Sequence, residues 1–385
     1  MAVPLAAFGV FLPVLAEAFG WSRGAVATAL SINLVIGGLA GFGIGALTDR
    51  HGPRVMLVAT VALAGAAFAL VSQVGTLWQL YLFVGVLGGI GTSSFYLLSA
   101  ATIARWFAEG RGLALSLVLI GFNLGYVSAG PLAAWLIAEL GWRAAYAVLG
   151  GGAALVAMAG AVSVRVPRSH ETATAHRPER TAAPSATSGI TLRQALLDPR
   201  QWCLNGCWFF QGGLVFMVTV HIVPFARDQG ASLSDASLTL TAYGVGAFAG
   251  RLMSGVASDR LGTLLTVRAG YVSMALAMTV LGWVPPSRPA LLVSMALFGA
   301  GFAAADTMVA KVVPDVFGLR AIGAIMGILT LGWRAGAALG PAAAGFLFDS
   351  TGSYSIPFSA RAMRTRAQYG HRAASYMVSI RLPPP

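Results

Sequence analysis

The stretch GALTDRHGPR, Gly45 to Arg54, is echoed as GVASDRLG from Gly255 to Gly262, with Asp259 lying 210 residues after Asp49. The same shift carries Gly45 onto Gly255 and Gly130-Pro131 onto Gly340-Pro341. Register held over these landmarks points to a tandem duplication. Each turn closes a long apolar run. Two equivalent membrane halves facing each other across one pathway are the usual architecture of a secondary transporter.

Composition says the same. Of 385 residues, 10% are charged and 57% hydrophobic, and the mean hydropathy is +0.76, whereas a soluble domain is about 25% charged. A bilayer core of roughly 30 Å takes about 20 apolar residues in a helix. Such segments run near 25-47, 55-74, 78-103, 113-138, 142-164, 202-226, 236-257, 264-284, 289-312 and 321-347, with an incomplete one at 1-19. Unbroken runs without period-two alternation make these helices rather than barrel strands. The expected fold is therefore all-α: two pseudo-symmetric six-helix bundles in a membrane.

The formal charge of +12 does not imply a nucleic-acid partner, because the basic residues sit in short loops and two tails. With the DR turns placed inside, the cytoplasmic side collects Arg50, Arg54, Arg105, Arg111, Arg260, Arg268, Lys311 and Arg320, plus six arginines of a linker. The other side has Arg23, Arg143, Arg227 and Arg288. That asymmetry follows the positive-inside rule. It predicts an integral protein of a bacterial inner (plasma) membrane, with both DR turns and the linker cytoplasmic and a monomer as the working unit. Cys203 and Cys207, four apart on one helix face, read as small packing residues. Ala2 to Phe19 lacks the charged start of a signal peptide and reads as part of a span.

The polar stretch 165-200 is a flexible linker between an N-terminal bundle, 1-164, and a C-terminal bundle, 201-350. Its end, TLRQALLDPRQW, suits a short interfacial helix. The repeat implies a first helix that lacks its opening residues and a twelfth helix near 352-374. That stretch instead carries Arg361, Arg364, Arg366 and Arg372. At about 2.5 to 3.5 kcal/mol for each central Arg, it does not span. Residues 351-385 are expected to be a basic, aberrant or disordered tail, left by a natural terminus or, preferably, a changed reading frame. The nucleotide sequence decides between these.

In the first turn, Gly45, Asp49, Arg50, Gly52 and Arg54 sit at a helix end and tight loop, and Gly255, Asp259, Arg260 and Gly262 repeat the pattern. Gly37, Gly41 and Gly45 recur every four residues, a stripe that admits another backbone closely. An Asp here can accept hydrogen bonds from a helix N-terminus or pair with an Arg, making and breaking a gate latch. These turns resemble the loop signature of the major facilitator superfamily, between its second and third and its eighth and ninth helices. ARWFAEGRGLALSLVLIGFNLGYVSAGP, LGWRAAYAVLG, HIVPFARDQG and AALGPAAAGFLFDSTGSY are similar to its monocarboxylate porter and oxalate/formate antiporter branch. The resemblance implies transport of small organic anions by proton symport or anion exchange.

Charged groups inside spans are expensive and point to function. By the resemblance, Arg251 occupies the eighth-helix position that holds a substrate carboxylate, which an Arg fork can take in two hydrogen bonds. The alternative is a structural partner for Asp306. Arg334, about 13 residues and roughly 20 Å into its span, matches an eleventh-helix basic residue that the antiporters usually keep as Lys. Asp306 lies at the depth of Arg251, so the two can pair in the empty carrier, and an unpaired Asp306 suits a proton site. His221, near a helix end, reads as interfacial or gating. Gly130, Pro131, Gly340 and Pro341 allow helix bending, while Asn33, Tyr96, Asn123 and Tyr126 either line the first half's side of a cavity or bind helices together.

GFGIG and GGIGTSS lie in spans without the strand-turn-helix context of nucleotide loops. No P-loop, metal-ligand set or nucleophile motif stands out, so no cofactor, metal or enzymatic chemistry is expected, and gradients drive transport. The competing readings are a drug or metabolite efflux antiporter of the same fold, and a membrane sensor that binds without transporting.

Overall fold

A computed structural model describes residues 2–93, 111–163, 190–283, 287–318 and 321–354. Among them the regular elements are helices: α1 (Ala2–Ala6), α2 (Phe8–Phe19), α3 (Arg23–His51), α4 (Pro53–Leu70), α5 (Leu77–Thr92), α6 (Arg111–Ser163), α7 (Leu192–Leu197), α8 (Pro199–Asp228), α9 (Leu233–Leu261), α10 (Thr263–Trp283), α11 (Arg288–Phe317) and α12 (Ile322–Thr351). Six described stretches are long and apolar enough to cross a membrane. The expected spans 113-138 and 142-164 are two arms of α6, meeting at Gly141, whose φ of 74° breaks the helical path. In α5, Tyr81–Leu87 is π-helical, a local widening the sequence did not announce.

The repeated turns have one backbone. Gly52 has φ 81° and ψ 157°, and its N–H closes α3 onto the Thr48 carbonyl at 2.8 Å. Gly262 has φ 86° and ψ 153°, and closes α9 onto the Ser258 carbonyl at 3.0 Å. Positive φ costs a residue with a Cβ, so glycine at both positions is what lets the chain reverse in one residue. Pro53 then starts α4, where its missing N–H is harmless. The interfacial helix also forms: Thr191 and Gln194 cap α7 reciprocally.

The halves meet through α3 on α12, the first arm of α6 on α9, and α2 on α8. A shift of 210 residues turns α3 into α9 and the first arm of α6 into α12. The first two contacts therefore exchange, as a pseudo-twofold axis requires, and the buried side chains Phe8, Phe11, Leu12, Val218 and Ile222 pack around it. Within the second half, α9 and α11 approach to backbone contact. A methyl group on Gly250 would run into the Ala300 carbonyl. Gly250→Val is expected to cost about 1–3 kcal/mol by overpacking, checked by a lowered Tm in detergent.

In the first half, Phe68 of α4 packs onto Gly150 in the second arm of α6. Its counterpart α10 leaves Leu264, Leu265, Val272, Leu276 and Trp283 exposed among the described residues. The expected loss of a twelfth helix falls on 355–385, outside the described residues, as does most of the linker. One expectation is corrected: Cys203 and Cys207 are exposed rather than packed, because their stripe of α8 points away from α12.

Candidate functional site

The close approach of α9 and α11 brings Arg251 to Asp306. Arg251 Nη2 lies 3.1 Å from Asp306 Oδ2, and Nη1 reaches Thr307 Oγ1 at 3.5 Å. The two side chains are 14% and 29% exposed, and Arg251 Nε is buried without a partner. One face of the guanidinium thus retains donor capacity after the pair has formed. Two turns earlier on α9, Tyr243 meets Tyr126 of α6 edge-on, with centroids 5.4 Å apart, and leans on Phe298 and Phe302. Thr241 donates across the halves to the Val127 carbonyl at 2.8 Å. Nearby, Gln211 of α8 donates to the Phe302 carbonyl at 3.4 Å and accepts from Tyr271 at 3.3 Å. Tyr243, Gln211, Tyr271 and Thr307 were not singled out from sequence; their polar atoms lie in otherwise apolar helices, which was the available signal.

Arg334 comes from α12 on the other contact between the halves. Its side chain lies against α3, where a Cβ on Gly38 would sit 3.3 Å from Arg334 Cδ and one on Gly37 would sit 3.5 Å from Nη1. The half-buried guanidinium has neither a hydrogen bond nor an ion pair among the described residues. Gly37 and Gly38 thus form the floor beneath this cation. Asn33 is glue, 2% exposed and donating to the Val84 carbonyl at 2.7 Å. Tyr96 lies outside the described residues, as does the side chain of Asn123.

At the DR turns, Arg50 and Arg54 are exposed, and the Asp49 side chain lies outside the described residues. Asp259 pairs with Lys311 of its own half at 3.1 Å, and Lys311 also donates to Ser258 Oγ at 2.7 Å. Gly255 has open space where a Cβ would stand, so no backbone among the described residues approaches it. Gly130 faces the Ser237 carbonyl across the halves, Gly340 faces Gly213, and Pro131 and Pro341 sit inside α6 and α12.

The opposite end carries a latch that sequence reading missed. The Asp349 carboxylate, at the end of α12, accepts the first two N–H groups of α3, from Arg23 at 3.0 Å and Gly24 at 2.8 Å. Those N–H groups have no partner inside the helix, so one half caps the other. The Arg23 guanidinium forks onto both Asp228 oxygens at 2.7 Å and lies 4.1 Å over the Phe348 ring. Glu17 and Arg227 pair at 3.4 Å. An acid in the last turn of a helix opposes that helix's own dipole, which was the overlooked signal at Asp349. His221, expected at an interface, is fully buried: Nδ1 is 2.9 Å from the Tyr354 hydroxyl and Nε2 is 2.8 Å from the Pro341 carbonyl. Burial raises Tyr354 above the ordinary phenol range, so its hydroxyl remains a donor. Asp349→Ala is expected to weaken closure by about 1 kcal/mol, the worth of a helix cap. A cysteine at Ala27, fully buried one turn along α3, should then label several-fold faster.

The family model of the Major Facilitator Superfamily matches residues 2–232 and 207–360. Monocarboxylate transporter 11 of Mus musculus is 28% identical over 366 residues, 92% of this chain and 79% of its own length. Monocarboxylate transporter 13 of Rattus norvegicus is 27% identical over 362 residues, 92% and 80% of the two chains. Among solved structures, a bacterial homolog of the human lysosomal transporter Spinster, in an inward-facing and unoccupied conformation, superposes with a TM-score of 0.70 at 18% identity, covering 91% and 80%. The nucleoside transporter NupG gives 0.69 at 12% identity, covering 99% and 98%. With both repeats matched and the helices arranged as in these transporters, the chain is an integral-membrane transporter, not an enzyme, and belongs to the Major Facilitator Superfamily.

Proposed function

We propose that the protein is a secondary carrier of small organic anions, monocarboxylates among them, working by alternating access with proton symport or anion exchange. The observation that carries this reading is Arg334, a cation deep in α12 with no anionic partner among the described residues. A charge in that position is costly unless something compensates it, and a substrate carboxylate supplies the compensation. Arg251 offers a second anchor: the incoming anion competes with Asp306 for the guanidinium, and the displaced Asp306 tunes or couples the step. Two cations suit a dicarboxylate, or a monocarboxylate with a second polar end.

Among the described residues, the cross-half ion pairs and the helix cap gather at the end carrying Arg23 and Asp228. That pattern corresponds to a carrier open toward the DR turns, the inward-facing state if those turns and the linker are cytoplasmic in a bacterial inner membrane. Rocking of the halves about the midplane would break the Asp349 cap and close the other end, where Asp259, Arg260 and their first-half counterparts latch. The bends at Gly130-Pro131 and Gly340-Pro341 ease that motion. The anchors proposed here all come from one chain, which favours a monomer as the working unit. A hydrophobic cargo would leave Arg334 uncompensated, which disfavours drug efflux. Reconstituted proteoliposomes given a panel of labelled mono- and dicarboxylates are expected to show saturable, mutually competitive uptake. Saturable binding without flux would instead make the chain a sensor.

A further inference from the structure

Beneath the Asp349 latch, hydrogen bonds run from Tyr354, which lies beside the Arg23–Asp228 ion pair, to the bend in α12. The Arg23 guanidinium forks onto Asp228 and lies 5.5 Å from the centroid of the Tyr354 ring. Tyr354 meets His221 Nδ1, and His221 Nε2 meets the carbonyl of Pro341. A carbonyl oxygen only accepts, so Nε2 carries the hydrogen and Nδ1 accepts from Tyr354. In this arrangement the Tyr354 hydroxyl gives its hydrogen to the imidazole. The closed arrangement therefore holds one imidazole hydrogen and no more. A second, on Nδ1, would force the Tyr354 hydroxyl from donor to acceptor and add a positive charge beside Arg23.

We propose that His221 is a proton-binding site of the carrier, whose occupation opens the end held by Asp349. The charged and titratable groups around it are Arg23 of α3, Asp349 of α12, Tyr354 beyond α12, and Asp228 of its own helix, with the Glu17–Arg227 pair at the rim. Asp228 and Asp349 are engaged by Arg23 and the α3 N-terminus, so neither is free to neutralise a histidinium. Opening exposes the imidazole to water, where it can take the proton. By linkage, proton uptake and opening favour each other, with one proton changing the closed-to-open ratio by up to about tenfold per pH unit. Because His221 holds the carbonyl of Pro341, its release also frees the bend that carries Arg334. This rests on the transport reading, but its test needs no substrate.

The full chain, with Cys203→Ser and Cys207→Ser and spin labels at Glu139→Cys and Ser350→Cys, is placed in nanodiscs. Interlabel distances are then measured from pH 8 to 5.5. The expected result is growth of a longer-distance population as pH falls, abolished in His221→Gln, whose amide can donate to Pro341 and accept from Tyr354 without titrating. A pH-independent parent, or an unchanged response in His221→Gln, overturns the proposal. Should His221→Gln fail to fold, Tyr354→Phe is read instead. It keeps the ring over Arg23 but removes the hydroxyl that favours the neutral imidazole in the closed state, so the pH response weakens, and an undiminished response overturns the proposal equally. A pH-silent gate in a chain that still takes up carboxylate sinks this inference alone. A responsive gate without carboxylate flux sinks the substrate reading alone.

Discussion

Replacing Arg334 by glutamine is expected to lower carboxylate uptake by about 30-fold or more while raising the thermal stability of the empty carrier. The two effects have one cause. Without substrate, the guanidinium meets glycine backbone at Gly37 and Gly38 and has no counter-charge among the described residues, a situation that insertion scales put at about 2.5–3.5 kcal/mol near mid-membrane. Glutamine removes that cost. With substrate, a charge-assisted fork is lost, and truncating one partner of a buried charge pair costs about 2–5 kcal/mol. Arg334→Lys should recover only part of the uptake, because an ammonium is a point charge that cannot take both carboxylate oxygens in parallel. Uptake kinetics and unfolding in detergent, measured on the same preparations, check both arms. A drop in Tm would mean that the guanidinium has a structural partner, and the anion-anchor reading would then fail.

What could be read from the chain alone follows from range. The DR turns are local: a glycine that reverses the chain at Gly52 must do so again at Gly262, and the backbone angles agree within a few degrees. Arg251 and Asp306 stood out because charge is rare in apolar helices, and their equal depth allowed the pairing seen at 3.1 Å. The latch was not legible in this way. Asp349 was not singled out and Arg23 counted only as a topological marker, yet they meet because α12 ends beside the start of α3. No periodicity encodes which helix ends adjoin. Burial of His221 was hidden for the same reason: its partners come from Pro341 and Tyr354, more than a hundred residues away. The cysteine expectation failed because four-residue spacing fixes a common face but not what that face meets.

Arg251 and Asp306 separate a structural pair from a substrate anchor through their double substitution. Arg251→Ala strands the Asp306 carboxylate and Asp306→Leu strands the guanidinium, and breaking a buried pair from one side typically costs about 3–5 kcal/mol. Residual exposure of 14% and 29% places these variants toward the lower end of that range, still enough to depress Tm clearly. Replacing both, as Arg251→Met with Asp306→Leu, removes the desolvation of two charges at once and is expected to be neutral or stabilising by about 1–4 kcal/mol. Stability should therefore fall in each single variant and return in the double one. Uptake should not return. A substrate carboxylate that needs the unused Nε face of Arg251 has nothing to bind in either Arg251 variant, however well the helices repack. If the stable double variant transports at the parent rate, the pair is scaffolding and Arg334 alone carries the anion. If Asp306→Leu keeps Arg251 and transports with weakened pH dependence, Asp306 acts in coupling rather than binding. Measuring uptake against Tm for all four proteins places each residue in one role.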